Sequence, residues 1–506
     1  MTQVNDISCH FDYPIYCIKA INEAKCVISG GGGSAKTGVA NIIDVVDFHR
    51  HSLPKTIKDF TASISQNSKS LDTDPNAVMR FIVLNSFVTE KNKSVARIAT
   101  LEGSKVVNYT ITSDLLDQSK TDFKKVTELD LHEDLCSIAV SSFLKSRYLA
   151  VGSTGGVIFI LEINSIGFNL LHKIPIKLTE KACVTNLDFA PSNHKITSTP
   201  TLFVSLCDRP DGTCLRFYSI CKTKKVNSLV HEIDVKSTNA FQYHQKLNLK
   251  NDAGLRFKHC EYLDLINETI VSKSENEITL KFDTHLIATI MPIRYTVKGT
   301  KSTLSIWQVR YEGKFELLSK ETKNNNSDSN KTLNCIDVEN VQSICACEID
   351  MALGQIPSCL ATKSSNSMCL ISVGSMEGHI YVYLFLPQNK SLTCVYTKQK
   401  AHSIFVTSLD FLPERRPIKD QAKISPLIDQ RLVHFELASV SADQEVKWHS
   451  GPTLTTVSDA SYFDGALLDH RKRCTIKSFL STAYFILFLI APLILILLEK
   501  TLNSLF

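Results

Sequence analysis

The stretch Ile28-Ser29-Gly30-Gly31-Gly32-Gly33-Ser34-Ala35-Lys36-Thr37-Gly38-Val39-Ala40-Asn41 holds the residue pattern with the clearest chemical potential in the chain. A backbone stripped of Cβ atoms reaches φ > 0 and can turn its peptide groups toward an ion or a partner at close range. A Lys-Thr pair inside a glycine loop first raises phosphate binding, because Walker loops set Gly-Lys-Ser/Thr under a nucleotide. Here Ala35 stands before Lys36-Thr37, and the following residues to Phe48 are rich in β-branched side chains and read as a strand. With no helix N-terminus to hold a phosphate, the Walker reading fails. The same missing helix counts against a dinucleotide loop, although Gly30, Gly32 and Ala35 match G-x-G-x-x-A. A hairpin fits instead: strand Lys25–Ser29, turn Gly30–Gly38, strand Val39–Phe48. Such a turn is either a floppy surface loop or an ordered one whose carbonyls hold a hard monovalent cation and whose tip touches a partner. Both forms fit the residues.

Other reactive side chains form no comparable pattern. The 16 cysteines are scattered, with Cys345-Ala346-Cys347 the closest pair and no C-x-x-C, so a structural zinc site is not expected. His49-Arg50-His51 reads as a solvated loop after the second strand. His402, after Ala401, and Asp443 sit where WD40 repeats place a blade-stabilising pair, and hydrogen bonding within a blade is their expected role. No Ser/His/Asp or Cys/His constellation stands out.

The elements around these residues are short strands separated by turn signals. The clearest unit runs Leu135–Val140, Tyr148–Ser153, a Gly155-Gly156 turn, then Val157–Ile163. Similar units occur at Leu370–Gly374 with Gly378–Tyr383, and at Leu437–Asp443 with Glu445–Trp448. The last resembles the end of a WD40 repeat, with Trp448 one position early. Seven such units lie near 24–48, 80–112, 135–163, 184–220, 255–309, 339–385 and 404–449. This predicts an all-β, seven-bladed WD40-like propeller over residues 1–450, with Phe11–Ala20 closing the ring onto the last blade. The blades exceed the typical repeat of about 40–45 residues. The excess is expected in solvated insertions at Lys222–Asp252 and Glu312–Thr332.

The C-terminal end has a different character. Residues 479–498, Phe479 to Leu498, carry no charge, and at about 1.5 Å per residue a helix of that length matches a bilayer core. Arg471, Lys472, Arg473 and Lys477 precede it within a juxtamembrane segment, 451–478, and only a short tail, 499–506, follows. The positive-inside rule then places the propeller in the cytosol, where the thiols stay reduced and sequons such as Asn108-Tyr109-Thr110 stay unmodified. The N-terminal residues lack the apolar core of a secretory signal. A net charge of +5 with 21% charged residues gives no general case for nucleic-acid binding.

The glycine loop, the propeller and the C-terminal anchor together resemble the prolactin regulatory element-binding protein family, the endoplasmic-reticulum guanine-nucleotide exchange factors for the Sar-type small GTPase. Gly30–Asn41 is similar to that family's G-G-G-G-x-x-K-x-G-x-x-N, and Tyr13-Pro14-Ile15-Tyr16 resembles its start. Supporting likeness lies in Leu255–Cys260, Val382-Tyr383 and Ala401–Pro413. The resemblance implies a potassium ion held by backbone carbonyls among Gly31, Gly32, Gly33, Ser34, Lys36 and Gly38. It implies that Asn41 acts on the GTPase, with Lys36 and Thr37 as further contacts. It implies an exchange factor with no covalent chemistry of its own, sited at the endoplasmic-reticulum membrane to start COPII coat assembly. A membrane-tethered scaffold without exchange activity is the alternative. DNA binding, which the family name suggests, is disfavoured by the mild charge and the anchor.

Overall fold

The structure is a computed structural model of the chain. It describes residues 7–454 apart from 35–36, 51–61, 67–68, 90–92, 115–120, 142–146, 166, 177–181, 192–200, 210–211, 221–227, 235–254, 274–276, 293–301, 317–334, 349–355, 366–367 and 414–431. Strands alone make up its regular structure. β1 (Ile7–His10) is followed by a bend, and β2 (Ile15–Ala20), β3 (Lys25–Gly30), β4 (Ile42–Arg50) and β5 (Ala62–Gln66) form one sheet, with β6 (Leu71–Asp72) beside β4. The next sheet holds β7 (Phe81–Val88), β8 (Lys93–Glu102), β9 (Lys105–Asp114) and β10 (Thr121–Asp130). A third is made of β11 (Leu135–Val140), β12 (Arg147–Ser153), β13 (Val157–Ile163) and β14 (Phe168–Pro175), and a fourth of β15 (Cys183–Phe189), β16 (Thr201–Arg209), β17 (Gly212–Ile220) and β18 (Ser228–Asp234). The fifth has the longest strands: β19 (Leu255–Lys273), β20 (Glu277–Pro292), β21 (Thr303–Glu316) and β22 (Cys335–Glu348). β23 (Pro357–Ser365), β24 (Met368–Ser375), β25 (Ile380–Leu386) and β26 (Ser391–Lys398) follow, and the last sheet joins β27 (Val406–Phe411), β28 (Leu432–Ser441) and β29 (Glu445–Leu454) to β1.

These antiparallel sheets are the blades of a propeller. The first strand of each, β2, β7, β11, β15, β19, β23 and β27, touches the first strand of the next, and β27 returns to β2. The core therefore lies between blades. Where the last blade meets the first, Phe11, Ile15, Ile28 and Val46 pack with Val440 and Trp448, and the Phe48 and Trp448 rings meet edge to face at 5.2 Å. A belt of side-chain donors crosses the same joints near the axis. Ser137 donates to the Val184 carbonyl (2.7 Å), His259 Nε2 to that of Ser358 (2.7 Å), Ser358 to that of Val406 (2.6 Å) and Thr407 to that of Ile15 (2.7 Å). Carboxylates add a second set of joints: Asp410 accepts from Ala20 N at 2.7 Å, and Asp188 from Tyr262 N at 2.6 Å. Each bond satisfies a group that burial would otherwise leave costly.

Four expectations change. The strand that closes the ring is β1, paired with β29 from Ile7↔Trp448 to His10↔Glu445, while Ile15–Ala20 is the innermost strand of the first blade. The bend at Asp12-Tyr13, followed by Pro14 with no N–H to donate, separates β1 from β2, so Phe11–Ala20 supplies the innermost strand and the closing strand lies before it. The unit at 339–385 is also split, because β22 ends the fifth blade and β23 opens the sixth. The extra length is partly strand: β18 lies inside Lys222–Asp252, and β21 runs on to Glu316. His49 likewise sits within β4, its Nε2 2.8 Å from Ser65 Oγ.

The chain divides into two compact units, Met1–Pro417 with Phe435–Gly451, and Ile418–His434 with Pro452–Phe506. The first carries the propeller. Nearly all of the second, including the expected span at 479–498 and its flanks, lies outside the described residues. Among the described residues no helix is long and apolar enough to cross a membrane. The cysteines whose side chains are described, from Cys9 to Cys260 and at Cys359, Cys369 and Cys394, are free thiols.

Candidate functional site: the glycine loop of the first blade

β3 and β4 pair through Gly30↔Ile42 at their base, and the glycine loop projects beyond that pair. Its foot is tied to the start of β2, where Gly31 N donates to the Pro14 carbonyl at 3.0 Å. Behind it, β6 pairs with Ile42 and Ile43 and carries the chain to Thr73 and Asp74.

Asn41 organises the loop. Its side chain is 1% exposed. Gly33 N donates to Asn41 Oδ1 at 2.9 Å, and Asn41 Nδ2 donates back to the Gly33 carbonyl at 3.1 Å. The carboxamide thus imitates a peptide group and pairs with Gly33 at two points, as a neighbouring strand would. Nδ2 also donates to Asp74 Oδ1 at 2.7 Å, as the Asn41 backbone N–H does at 3.3 Å. The Asn41 carbonyl accepts from Thr73 N at 2.9 Å. Every polar atom of the Asn41 side chain is engaged within the chain.

The glycines are required by this closeness. A Cβ on Gly31, whose φ is +137°, would strike Asn41 Oδ1 and the Asn41 backbone. One on Gly32 would strike the Thr37 hydroxyl and approach the Val39 carbonyl to 3.0 Å. Hydroxyl, carbonyl and carboxamide oxygens therefore line the inner side of the loop, with the carboxylate of Asp74 beside Asn41. Neutral hard oxygens of this kind suit an alkali cation.

The expected site residues fall into distinct places. Gly31 is buried, Gly32 and Gly33 are half-buried, and Ser34, Thr37 and Gly38 are exposed at the tip. Lys36 lies outside the described residues. Asn41 is inside the loop and not at its tip, a difference that follows from its pairing with Gly33 and Asp74. Asp74 is missed by the sequence reading, since Thr73-Asp74-Pro75 carries only a turn signal.

The second expected pair, His402 and Asp443, belongs to a buried chain of hydrogen bonds in the last blade. His402 Nδ1 lies 3.1 Å from Asp443 Oδ1, and His402 Nε2 lies 2.8 Å from Ser439 Oγ. Ser439 Oγ is 2.8 Å from His449 Nε2, and His449 Nδ1 is 3.2 Å from the Tyr396 hydroxyl. One polarity satisfies the whole chain: Tyr396 donates to His449, His449 to Ser439, Ser439 to His402, and His402 to Asp443. His449 therefore fills the place that a WD40 repeat gives to its tryptophan, and Trp448, one position early, turns into the interblade core. Burial alone would raise the Asp443 carboxyl, but the donors His402, Ser403 N and Glu445 N outweigh it and hold the group well below the usual carboxylate range. Burial, with the charges of Lys398 and Lys447, pushes His449 down to about 3. His402, Asp443 and Glu445 are close enough to surround an ion. Yet Asp443 is filled by His402 and Ser403, and Glu445 pairs with Lys447 at 2.8 Å. The cluster is a structural clasp.

No protein-family model matches the chain, and no curated protein matches it in sequence. Solved structures match the chain at low similarity. Sqt1 from Saccharomyces cerevisiae is 12% identical with a TM-score of 0.42, over 88% of this chain and 98% of that one. Sqt1 from Chaetomium thermophilum gives 12%, 0.42, 88% and 97%. Raptor from Chaetomium thermophilum is 10% identical with a TM-score of 0.40, over 89% of this chain and 29% of that chain.

Proposed function

We propose that this chain is a guanine-nucleotide exchange factor for a Sar-type small GTPase, held at the endoplasmic-reticulum membrane by residues 479–498. The supporting observation is the loop Gly30–Asn41, in which Asn41 pairs with Gly33 and Asp74 and leaves Ser34, Thr37 and Gly38 exposed. A GTPase holds its nucleotide through ordered switch loops, Mg²⁺ and backbone amides. A partner that binds the nucleotide-free state more tightly loosens the nucleotide by the same coupling free energy. A rigid loop presents its contacts at little entropic cost on docking. In this reading Thr37, with Lys36, touches a switch segment, and Asn41 is a positioning residue that keeps the loop in shape. A potassium ion, bound by carbonyls among Gly31, Gly32, Gly33, Ser34 and Gly38, would supply further cross-linking of the same backbone. The anchor would confine activation to one bilayer, and no nucleic acid is a partner.

The test is release of a fluorescent guanine nucleotide from the Sar-type GTPase by the full chain in nanodiscs. Acceleration is expected, weaker when Na⁺ replaces K⁺. Binding of the GTPase without release of its nucleotide would assign the chain to the alternative, a tethered WD40-like scaffold.

A further inference from the structure

The first strands of the blades surround a cavity of about 580 Å³ on the propeller axis. The charged groups in its lining, with Asp410 beside it, divide into ones that are used and ones that are not. Asp410 accepts from Ala20 N and pairs with Lys19 at 3.3 Å. Asp188 accepts from Tyr262 N and Phe189 N, and Glu261 accepts from the Thr362 hydroxyl at 2.9 Å. Arg80 and Lys258 also line the cavity, and among the described residues neither side chain has an ion-pair or hydrogen-bond partner. Arg80 is half-buried, and its charge acts on Cys17, Cys136, His259 and Cys359, from four other blades. Arg80 shares the cavity lining with residues from the first strands of the other blades and so lies near the axis. Its five donors form a planar fork suited to a carboxylate.

The surroundings of this fork are apolar. Met79 (55% exposed) and Arg80 directly precede β7, Met376 (43%) lies in the β24–β25 turn, and Ile404 (40%) precedes β27. Within antiparallel blades, the start of the first strand and the turn between the second and third lie on one face. The glycine loop, between β3 and β4, is on that face too. One face therefore carries a ring of exposed methionine and isoleucine around an unpaired cation.

We infer that the mouth of the central channel is a binding site for the carboxylate of an acidic side chain, presented by a segment of a partner protein with apolar residues on either side of the acid. Arg80 takes the carboxylate in a bidentate pair, Lys258 adds attraction from the rim, and Met79, Met376 and Ile404 cover the flanking apolar groups. The carboxylates already in the channel do not cancel this attraction. Burial, reinforced for Asp188 by Glu261, pushes both carboxyls up, and the Asp410 charge is matched by Lys19. The site stands whether or not the chain is an exchange factor.

Fluorescence anisotropy on the detergent-solubilised full chain tests this, with a labelled peptide Leu-Glu-Phe-Asp-Leu, its counterpart Leu-Gln-Phe-Asn-Leu and inorganic phosphate as competitors. The acidic peptide should bind and the amide peptide should not. Arg80→Gln should weaken binding by about tenfold or more, the scale of a lost charge-assisted bond. Arg80→Lys should restore part of it. Lys258→Glu should also weaken binding, and it keeps the test open if Arg80→Gln fails to fold. Equal binding of both peptides overturns the inference, as does an unchanged affinity in either variant. Displacement of the peptide by phosphate at equal concentration would make the site one for free anions and overturn it too. Self-association lost in Arg80→Gln would assign the mouth to a second copy, with the same consequence.

Discussion

Replacing Asn41 separates a positioning role from a direct contact. The side chain makes two neutral hydrogen bonds to Gly33 and one to the carboxylate of Asp74. Neutral bonds contribute about 0.5–1.5 kcal/mol each and charge-assisted ones about 1.5–3. Gly33 is half-buried and Asp74 exposed, so water recovers part of what Asn41→Ala removes. The net loss to the loop is then about 2–3 kcal/mol, or about 30- to 150-fold in local opening. Asn41→Asp should be worse than alanine, because a carboxylate cannot donate to Gly33 O and is set against Asp74. Adding Asp74→Asn should rescue part of that loss, since the new amide donates to the new carboxylate. Hydrogen exchange of residues 30–41 reads these effects directly, with thermal unfolding as the control for the propeller. Nucleotide release should follow the same order: wild type, then the rescued pair, then alanine, then aspartate. Exchange protection unchanged in Asn41→Ala and Asn41→Asp, with activity lost in both, would refute the positioning argument.

Other consequences are open to direct measurement. His449 and His259 are each held neutral at about 3 by burial, against about 6.5 when unfolded. Between those values only the unfolded chain takes up the protons, so each histidine should cost about 1.4 kcal/mol of stability per pH unit as pH drops below 6.5, while the raised carboxyls of Asp188, Glu261 and Asp44 act in the opposite sense over the same range; urea titrations of the wild type against His449→Gln isolate the histidine part. Asp443, held low, adds to the loss at still lower pH. A pH dependence from 6.5 to 4.5 left unchanged by His449→Gln would contradict this. Ser439→Ala cuts the chain between His402 and His449 at a position with 0% exposure, and should lower stability by about 2–3 kcal/mol in chemical denaturation. Lys25 and Asp47 form an ion pair at 2.9 Å with both side chains 4% exposed, so Asp47→Ala strands a buried charge and should cost about 3–5 kcal/mol. Lys25→Met combined with Asp47→Leu should recover most of it.

The architecture was legible because strand and turn residues alternate with a regular beat. Leu135–Ile163 contains two strand runs, a Gly-Gly turn and a third strand, and these are β11 to β13 of the third blade. Boundaries were less legible where the pattern is continuous. A run of alternating residues does not say whether it is the last strand of one blade or the first of the next, and β22 was assigned to the wrong side for that reason. The sequence singles out Asn41 through a resemblance, but it does not show where the side chain lies. The carboxamide meets Gly33 across a loop and Asp74 across 33 positions, and neither contact leaves a mark in composition. The fourth member of the clasp was hidden by chemistry. Trp448 drew attention as the residue a WD40 repeat would use, while a histidine beside it makes the same hydrogen bond. Arg80 carried no signal at all, because only the closing of the ring brings its charge near those of four other blades.

The pairing of β1 with β29 joins residues some 440 positions apart. Residues 7–10 therefore have no strand to pair with until the last blade exists, and the circle is completed late in folding. Once completed, it behaves as a buckled strap. A protease that nicks one exposed connection leaves both pieces fastened at the buckle and at the intact joints, and no piece falls away. Removing residues 7–10 instead leaves β29 as a bare edge, open to any strand that can take their place.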